Sequence, residues 1–214
     1  MSNDATTNAT TNVIDVGKIV VGVDDSDSCR PALEWAANEA VLREAPLVIL
    51  YAATLPIGAW PVAPIRTGIT KWQTEVGRDI LDDAEQFAQQ LTNKAVPVTA
   101  ELAVATPSAA LIGASRTVGM VVVGSRGRGA FARTVLGSVS TALVHRAHCP
   151  VVVVHDEKPA PDASAPVVLG FDGSPASEPA IKLAFDEASL RKVKLVAVHA
   201  WWSSGLFDIA GVRV

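Results

Sequence analysis

Two groups of residues in this chain have types and spacings suited to chemistry. One is the segment GSRGRGAFARTVLGS, residues 124–138, which holds Gly124, Gly127, Gly129 and Gly137 with Arg126, Arg128 and Arg133. Glycine lets a backbone approach a ligand closely. A helix opening after Gly137 offers N–H groups without intrahelical partners and a partial positive charge. Together they describe an anion nest, for which a phosphate chain is the natural occupant. Ser138 could cap that helix or give its hydroxyl to a phosphate oxygen. A plainer reading also stands: Gly124 ends a strand, Gly137 begins a helix, and the arginines are solvated. The second group is Asp24, an acid at the end of an apolar run, suited to holding a ribose or a metal ion or simply to capping the next helix.

Two familiar phosphate motifs are excluded. A P-loop needs Lys after Gly at a spacing this segment lacks. GRGAFA, residues 127–132, matches a G-x-G-x-x-A dinucleotide pattern. It follows the fourth expected strand rather than the first, and CPVVVV stands where the ribose-binding acid should be, so the match is a decoy. No activated nucleophile or placed base is evident, and His145 and His148 fall further along the helix after Ser138.

The elements that must position these residues can be read from hydrophobic periodicity. Strands are expected at KIVVGVD, PLVILYAA, VPVTAELAV, GMVVVGS and CPVVVVH. Between them come a helix burying Leu33, Ala36, Ala37, Ala40 and Val41, and a second from about Ile69 to Asn93 with Ile80, Ala84, Phe87 and Leu91 on one face. A short helix opened by Pro107 and Ser108 and a last one from Ser138 complete the set. This alternation predicts an α/β fold with a five-stranded parallel sheet and helices on both faces. Ligands of such sheets gather at the carboxyl ends of the strands, where strand order reverses. If strands one and four are neighbours, Asp24 and Gly124 share one crevice.

Residues 156–166 read as a proline-rich linker. Beyond it, VVLGFDGSPASEPAIKLAFDEASLRKVKLVAVHA aligns without a gap with the segment that starts at Val20, at an offset of 148. Gly22 falls on Gly170, Asp24 on Asp172, Ser26 on Ser174 and Glu39 on Glu187. The expected organisation is a disordered tail at 1–16, a complete domain at 17–155, the linker, and a truncated second copy at 167–214.

Gly124-x2-Gly127-x9-Gly137-Ser138 resembles the ATP-binding motif of the universal stress protein family, and GVDDS resembles that family's first-strand G-V-D-G-S. The resemblance implies a flavodoxin-like, adenine-nucleotide alpha-hydrolase-like sandwich that is often doubled in tandem. It implies that Asp24 meets the ribose and phosphate side of a nucleotide and that the backbone near Ala52 meets adenine. Gly124, Gly127, Gly137 and Ser138 would embrace the phosphates, with Ser125, Arg128 and Val139 beside them and Val23 and Val123 lining the floor. The implied ligand is ATP, with or without Mg2+, and no residues are assigned as catalytic or as a resident metal site. Asp25 replaces the family's common glycine and adds negative charge beside a polyphosphate. The implied role is nucleotide-dependent stress signalling with slow or no hydrolysis. The alternatives are an ATP pyrophosphatase-like enzyme, although GVDDSDS lacks the paired glycines that wrap pyrophosphate, or an interaction module without a ligand.

The bulk properties agree with this reading. A net charge of −4 argues against nucleic acid as a partner. Cys29 and Cys149 fit neither a disulfide framework nor a metal motif, so reduced thiols in the cytoplasm are expected. The uncharged stretch Ala45–Ile65 contains Pro46, Pro56, Gly58, Pro61 and Pro64, so it reads as a strand and a long loop rather than a membrane span. Trp60 and Trp72 in that region read as packing or a gate. The apolar run CPVVVVH should form a sheet edge, and bare edges invite pairing, so a homodimer is expected.

Overall fold

The computed structural model describes residues 17–26, 29–54, 63–125, 136–155 and 164–200, with backbone only for 63–74. These divide into two compact units, one within residues 15–159 and one within 160–214. The expected tail and most of the linker lie outside the described residues, as do Trp60 and the Trp72 side chain.

In the first unit the order is β1 (Ile19–Val23), α1 (Cys29–Leu42), β2 (Leu47–Ala52), α2 (Ala63–Leu91), β3 (Val98–Ala103), α3 (Pro107–Ala114), β4 (Met120–Gly124), α4 (Ser138–Arg146) and β5 (Val151–Val154). All five strands pair in parallel, in the order β3-β2-β1-β4-β5. Helices α1 and α2 pack on one face, while α3 and α4 pack together on the other. This is the flavodoxin-like α/β sandwich anticipated from the sequence. Winding starts at β1, runs outward to the β3 edge, then returns through α3 to β4 on the other side of β1. The reversal lies between β1 and β4.

Strands buried on both faces need apolar residues at consecutive positions, which explains the β-branched runs of β1 and β4. Alternate residues serve opposite faces. Val20, Val48, Leu50, Val121 and Val123 form one core with Leu111 and Ile112 of α3 and Leu143 of α4. Gly22 belongs to the same face, because a Cβ built on it would stand 2.9 Å from Leu111 Cδ1 and 3.3 Å from Val123 Cγ1. On α2, Gly77 is needed for a similar reason: a Cβ there would meet Tyr51 Cε1 at 2.8 Å.

The helices differ from expectation in two details. α2 starts at Ala63, inside the stretch read as loop, with Pro64 in its first turn, where a missing N–H costs no intrahelical bond. Its buried stripe is Gly77, Leu81, Ala84 and Ala88, flanked by half-buried Ile80, Phe87 and Leu91. On α1, Leu33, Ala36, Ala37 and Ala40 are buried as expected, but Val41 is exposed. Glu39 is buried instead, paired with Arg43 at 2.5 Å.

The second unit consists of β6 (Val167–Phe171), a 3-10 turn (Pro175–Ser177), α5 (Glu178–Arg191) and β7 (Leu195–His199). Its strands also pair in parallel, Val167 with Leu195, and the corresponding pair in the first unit is Ile19 with Leu47. Both helices end in a left-handed residue, Glu44 and Lys192, after which an N–H bonds back five residues. These closing bonds are Ala45 N to Ala40 O at 2.9 Å and Val193 N to Ala188 O at 3.0 Å. Val168, Val196 and Val198 are exposed, whereas their offset partners Val20, Val48 and Leu50 are buried under α3 and α4.

Candidate functional site

The parallel ladder between β1 and β4 runs from Ile19–Met120 to Val21–Val122. On its other side β1 stays paired with β2 through Val23–Tyr51, and β4 stays paired with β5 through Gly124–Val154. The two central strands therefore part at their carboxyl ends while each remains held by its outer neighbour. Asp24 and Ser125 follow three residues after the last paired positions, one on each side of the fork. This is the switch point at which doubly wound sheets take ligands.

Asp24 is half-buried, and its Oδ1 accepts the Ser26 N–H at 3.0 Å together with the Ser26 hydroxyl. The acid thus shapes its own turn, and both donors belong to Ser26, which precedes α1. Among the described residues these bonds fall on Oδ1 alone. In the second unit Asp172 Oδ1 makes the matching bond to Ser174 N at 2.9 Å and accepts the Ser177 hydroxyl at 2.5 Å. Ser177 occupies the offset position of Cys29.

Across the fork, Ser125 is buried and its main chain is fully used. Its N–H donates to Val154 O at 2.7 Å, and its carbonyl accepts the Gly137 N–H at 2.7 Å. That second bond brings the two ends of the glycine-arginine segment together. Gly137 is the N-cap of α4, in extended conformation, and its carbonyl accepts the first intrahelical bond from Thr141 N at 3.0 Å. The N–H groups of Ser138, Val139 and Ser140 are the ones a helix start leaves without intrahelical acceptors. Ser138 is exposed, whereas Val139 is half-buried with its side chain packed against the core. His145 and Arg146 lie in the last turn, where positive charge suits the helix dipole. His145 Nδ1 sits 2.8 Å from Thr141 O, and the His148 N–H bonds Ser115 Oγ at 3.0 Å. Both therefore belong to the end of α4 away from the fork.

The structure thus brings Val23, Asp24, Val123, Gly124, Ser125, Gly137, Ser138 and Val139 to one edge of the sheet. Ala52 ends β2 at that edge, opposite Ala103. Val23 and Val123 are buried at the strand ends. Val123 faces the α3 side, where it contacts Gly22, so a ligand would meet it through its backbone. Gly127 and Arg128, with Arg126 and Arg133, lie outside the described residues. Ser140 was missed from sequence. It is buried and bonds both Ser125 O and Gly137 O. A hydroxyl three residues after the N-cap was the available signal.

A model of the "Universal stress protein family" matches residues 16–155. Universal stress protein Rv2623 of Mycobacterium tuberculosis is 43% identical over 199 residues, covering 91% of this chain and 67% of the relative. Universal stress protein Mb2028c of Mycobacterium bovis is 42% identical over 198 residues with the same coverage. The chain therefore spans about two thirds of the length of these relatives. Among solved structures, universal stress protein UspA from Lactobacillus plantarum aligns with TM-score 0.60 at 23% identity, over 65% of this chain and 97% of that one. A universal stress protein from Archaeoglobus fulgidus DSM 4304 aligns with TM-score 0.70 at 16% identity, over 91% and 69%. At these identities the likeness shows the fold.

Proposed function

The chain belongs to the universal stress protein family, and we propose that residues 17–155 form an adenine-nucleotide-binding domain that holds ATP, with or without Mg2+, in a stress-signalling role with slow or no hydrolysis. The observation that carries this reading is the fork between β1 and β4, with Asp24 on one side and the α4 N-terminus on the other. Exposed Ser138 and the N–H groups of α4's first turn suit phosphate oxygens. Asp24 keeps one carboxylate oxygen outside its own turn, which suits a ribose hydroxyl. Backbone at Ala52 suits an adenine edge, and Gly124, Gly127 and Gly137 let main chain close around the phosphates, with Arg128 adding charge.

The repeated strand pairing and helix endings support a second copy of the same unit starting at Val167. β5 is a sheet edge, which supports pairing with another copy of the chain. The free Cys29 and Cys149 suit a reducing, cytoplasmic setting. Among the described residues no helix is long and apolar enough to cross a membrane.

Equilibrium dialysis with ATP tests the reading. The wild-type protein should retain ATP, and a Gly124→Ala, Gly127→Glu double variant should lose it. Equal retention by both proteins rejects the role given to the loop. AMP and pyrophosphate appearing in the wild-type sample would instead favour a pyrophosphatase-like enzyme.

A further inference from the structure

Ser140 sits two residues beyond Ser138 in α4, and its side chain points to structure rather than solvent. Its hydroxyl lies 3.0 Å from Gly137 O and 3.3 Å from Ser125 O, the second contact buried and spanning fifteen residues of sequence. A serine hydroxyl has one proton to donate, so the two carbonyls share it. Ser125 O thus receives two donors from the start of α4, the Gly137 N–H and the Ser140 hydroxyl. Ser125 also has a second notable feature: its own hydroxyl is buried and has no hydrogen-bond partner among the described residues. Buried hydroxyls almost always find a partner, so one left unpaired at a ligand edge is a group held for another molecule.

We propose that Ser140 is a positioning residue of the nucleotide site. Its hydroxyl ties the end of β4 to the first turn of α4, fixing the Ser125 hydroxyl and the α4 N–H groups relative to one another for a phosphate. The proposal rests on the nucleotide reading of the site. A tie at this place acts on the phosphate end of a ligand and leaves the nucleoside end, near Ala52, untouched.

The test uses the full chain with ATP and adenosine as probes, together with amide exchange at Gly137 in the absence of ligand. Ser140→Ala should weaken ATP about three- to tenfold, the scale of one shared hydrogen bond, and leave adenosine within about twofold. It should also speed exchange of the Gly137 N–H, and Ser140→Thr, which keeps the hydroxyl, should restore both. Ser125→Ala should unfold no earlier than wild type, because it removes an unpaired buried hydroxyl, yet should also weaken ATP. An equal loss of ATP and adenosine in Ser140→Ala, or no change in either, overturns the proposal, as does Ser125→Ala binding ATP like wild type. If the wild-type protein retains neither probe, the nucleotide reading fails and the positioning role falls with it. The Gly137 exchange rates would still show separately whether the tie exists.

Discussion

Gly22 and Leu111 approach so closely that a methyl group on residue 22 would stand 2.9 Å from Leu111 Cδ1. Leu111 is buried in the core shared by α3, α4 and the sheet, so it has little room to withdraw. Gly22→Ala should therefore destabilise the protein by about 1–3 kcal/mol, the usual cost of overpacking. The offset position supplies the control, since a Cβ on Gly170 meets nothing within 4 Å. Gly170→Ala should leave the thermal unfolding midpoint near that of wild type, and equal losses in the two variants would contradict the packing argument.

The Glu39–Arg43 pair is a second contrast between offset positions. Its side chains are 1% and 3% exposed, whereas those of Glu187 and Arg191, paired at 3.1 Å, are 15% and 32% exposed. Removing one member of a buried pair strands a charge, so Arg43→Leu should cost about 3–5 kcal/mol in urea unfolding. Arg191→Leu should cost no more than about 1 kcal/mol, because water screens the pair.

Asp172 gives a pH prediction. The Ser177 hydroxyl, then the Ser174 N–H, hold its carboxyl well below the usual carboxylate range. A carboxylate with a depressed folded value stabilises the fold above its unfolded value, near 3.9, and that contribution fades as pH falls through the lower folded value. Carbon-detected NMR titration should place Asp172 below an ordinary aspartate. Ser177→Ala should move it upward toward the ordinary value, and an unmoved titration would remove Ser177 as the cause.

The cysteines respond in the opposite direction. Burial pushes both thiols up, and at Cys29 the negative charge of Asp24 adds to the rise while the Asp24 main chain and Arg30 pull partly back. Their alkylation by iodoacetamide should need a higher pH than free cysteine. Unfolded thiols ionise near 8.5 while the folded ones stay neutral, so stability should fall as pH rises from there through the folded values. Replacing both residues with alanine should flatten that alkaline decline.

Much of this was legible in the sequence because it is local. β1, β2, β4 and β5 were visible as apolar runs and β3 as an alternation that carries Thr99 and Glu101, and the glycine spacing marked the end of β4 and the start of α4. The start of α2 was not legible, since Pro64 is as compatible with a first helical turn as with a loop. Neither was the burial of Glu39, because its partner Arg43 makes a charged residue admissible on an inner face. The packing need for Gly22 depends on Leu111, nearly ninety residues away, and no local pattern records it. The role of Ser140 is hidden for the same reason: its second acceptor lies on another element. The turn after β1 shows what one residue changes. Gly173 has φ +79°, but Asp25, at the same offset position, is not among the left-handed residues Glu44, Asn93, Lys94 and Lys192. Both turns still close their side-chain bond to the serine N–H.

The early end of the β1–β4 ladder leaves the sheet of the first unit as two plates riveted along three of the five residues of their common seam. Strands β3, β2 and β1 make up one plate, and β4 with β5 the other. Beyond those pairs the facing edges of the two plates are spanned by the packing of α1 across β1, β4 and β5.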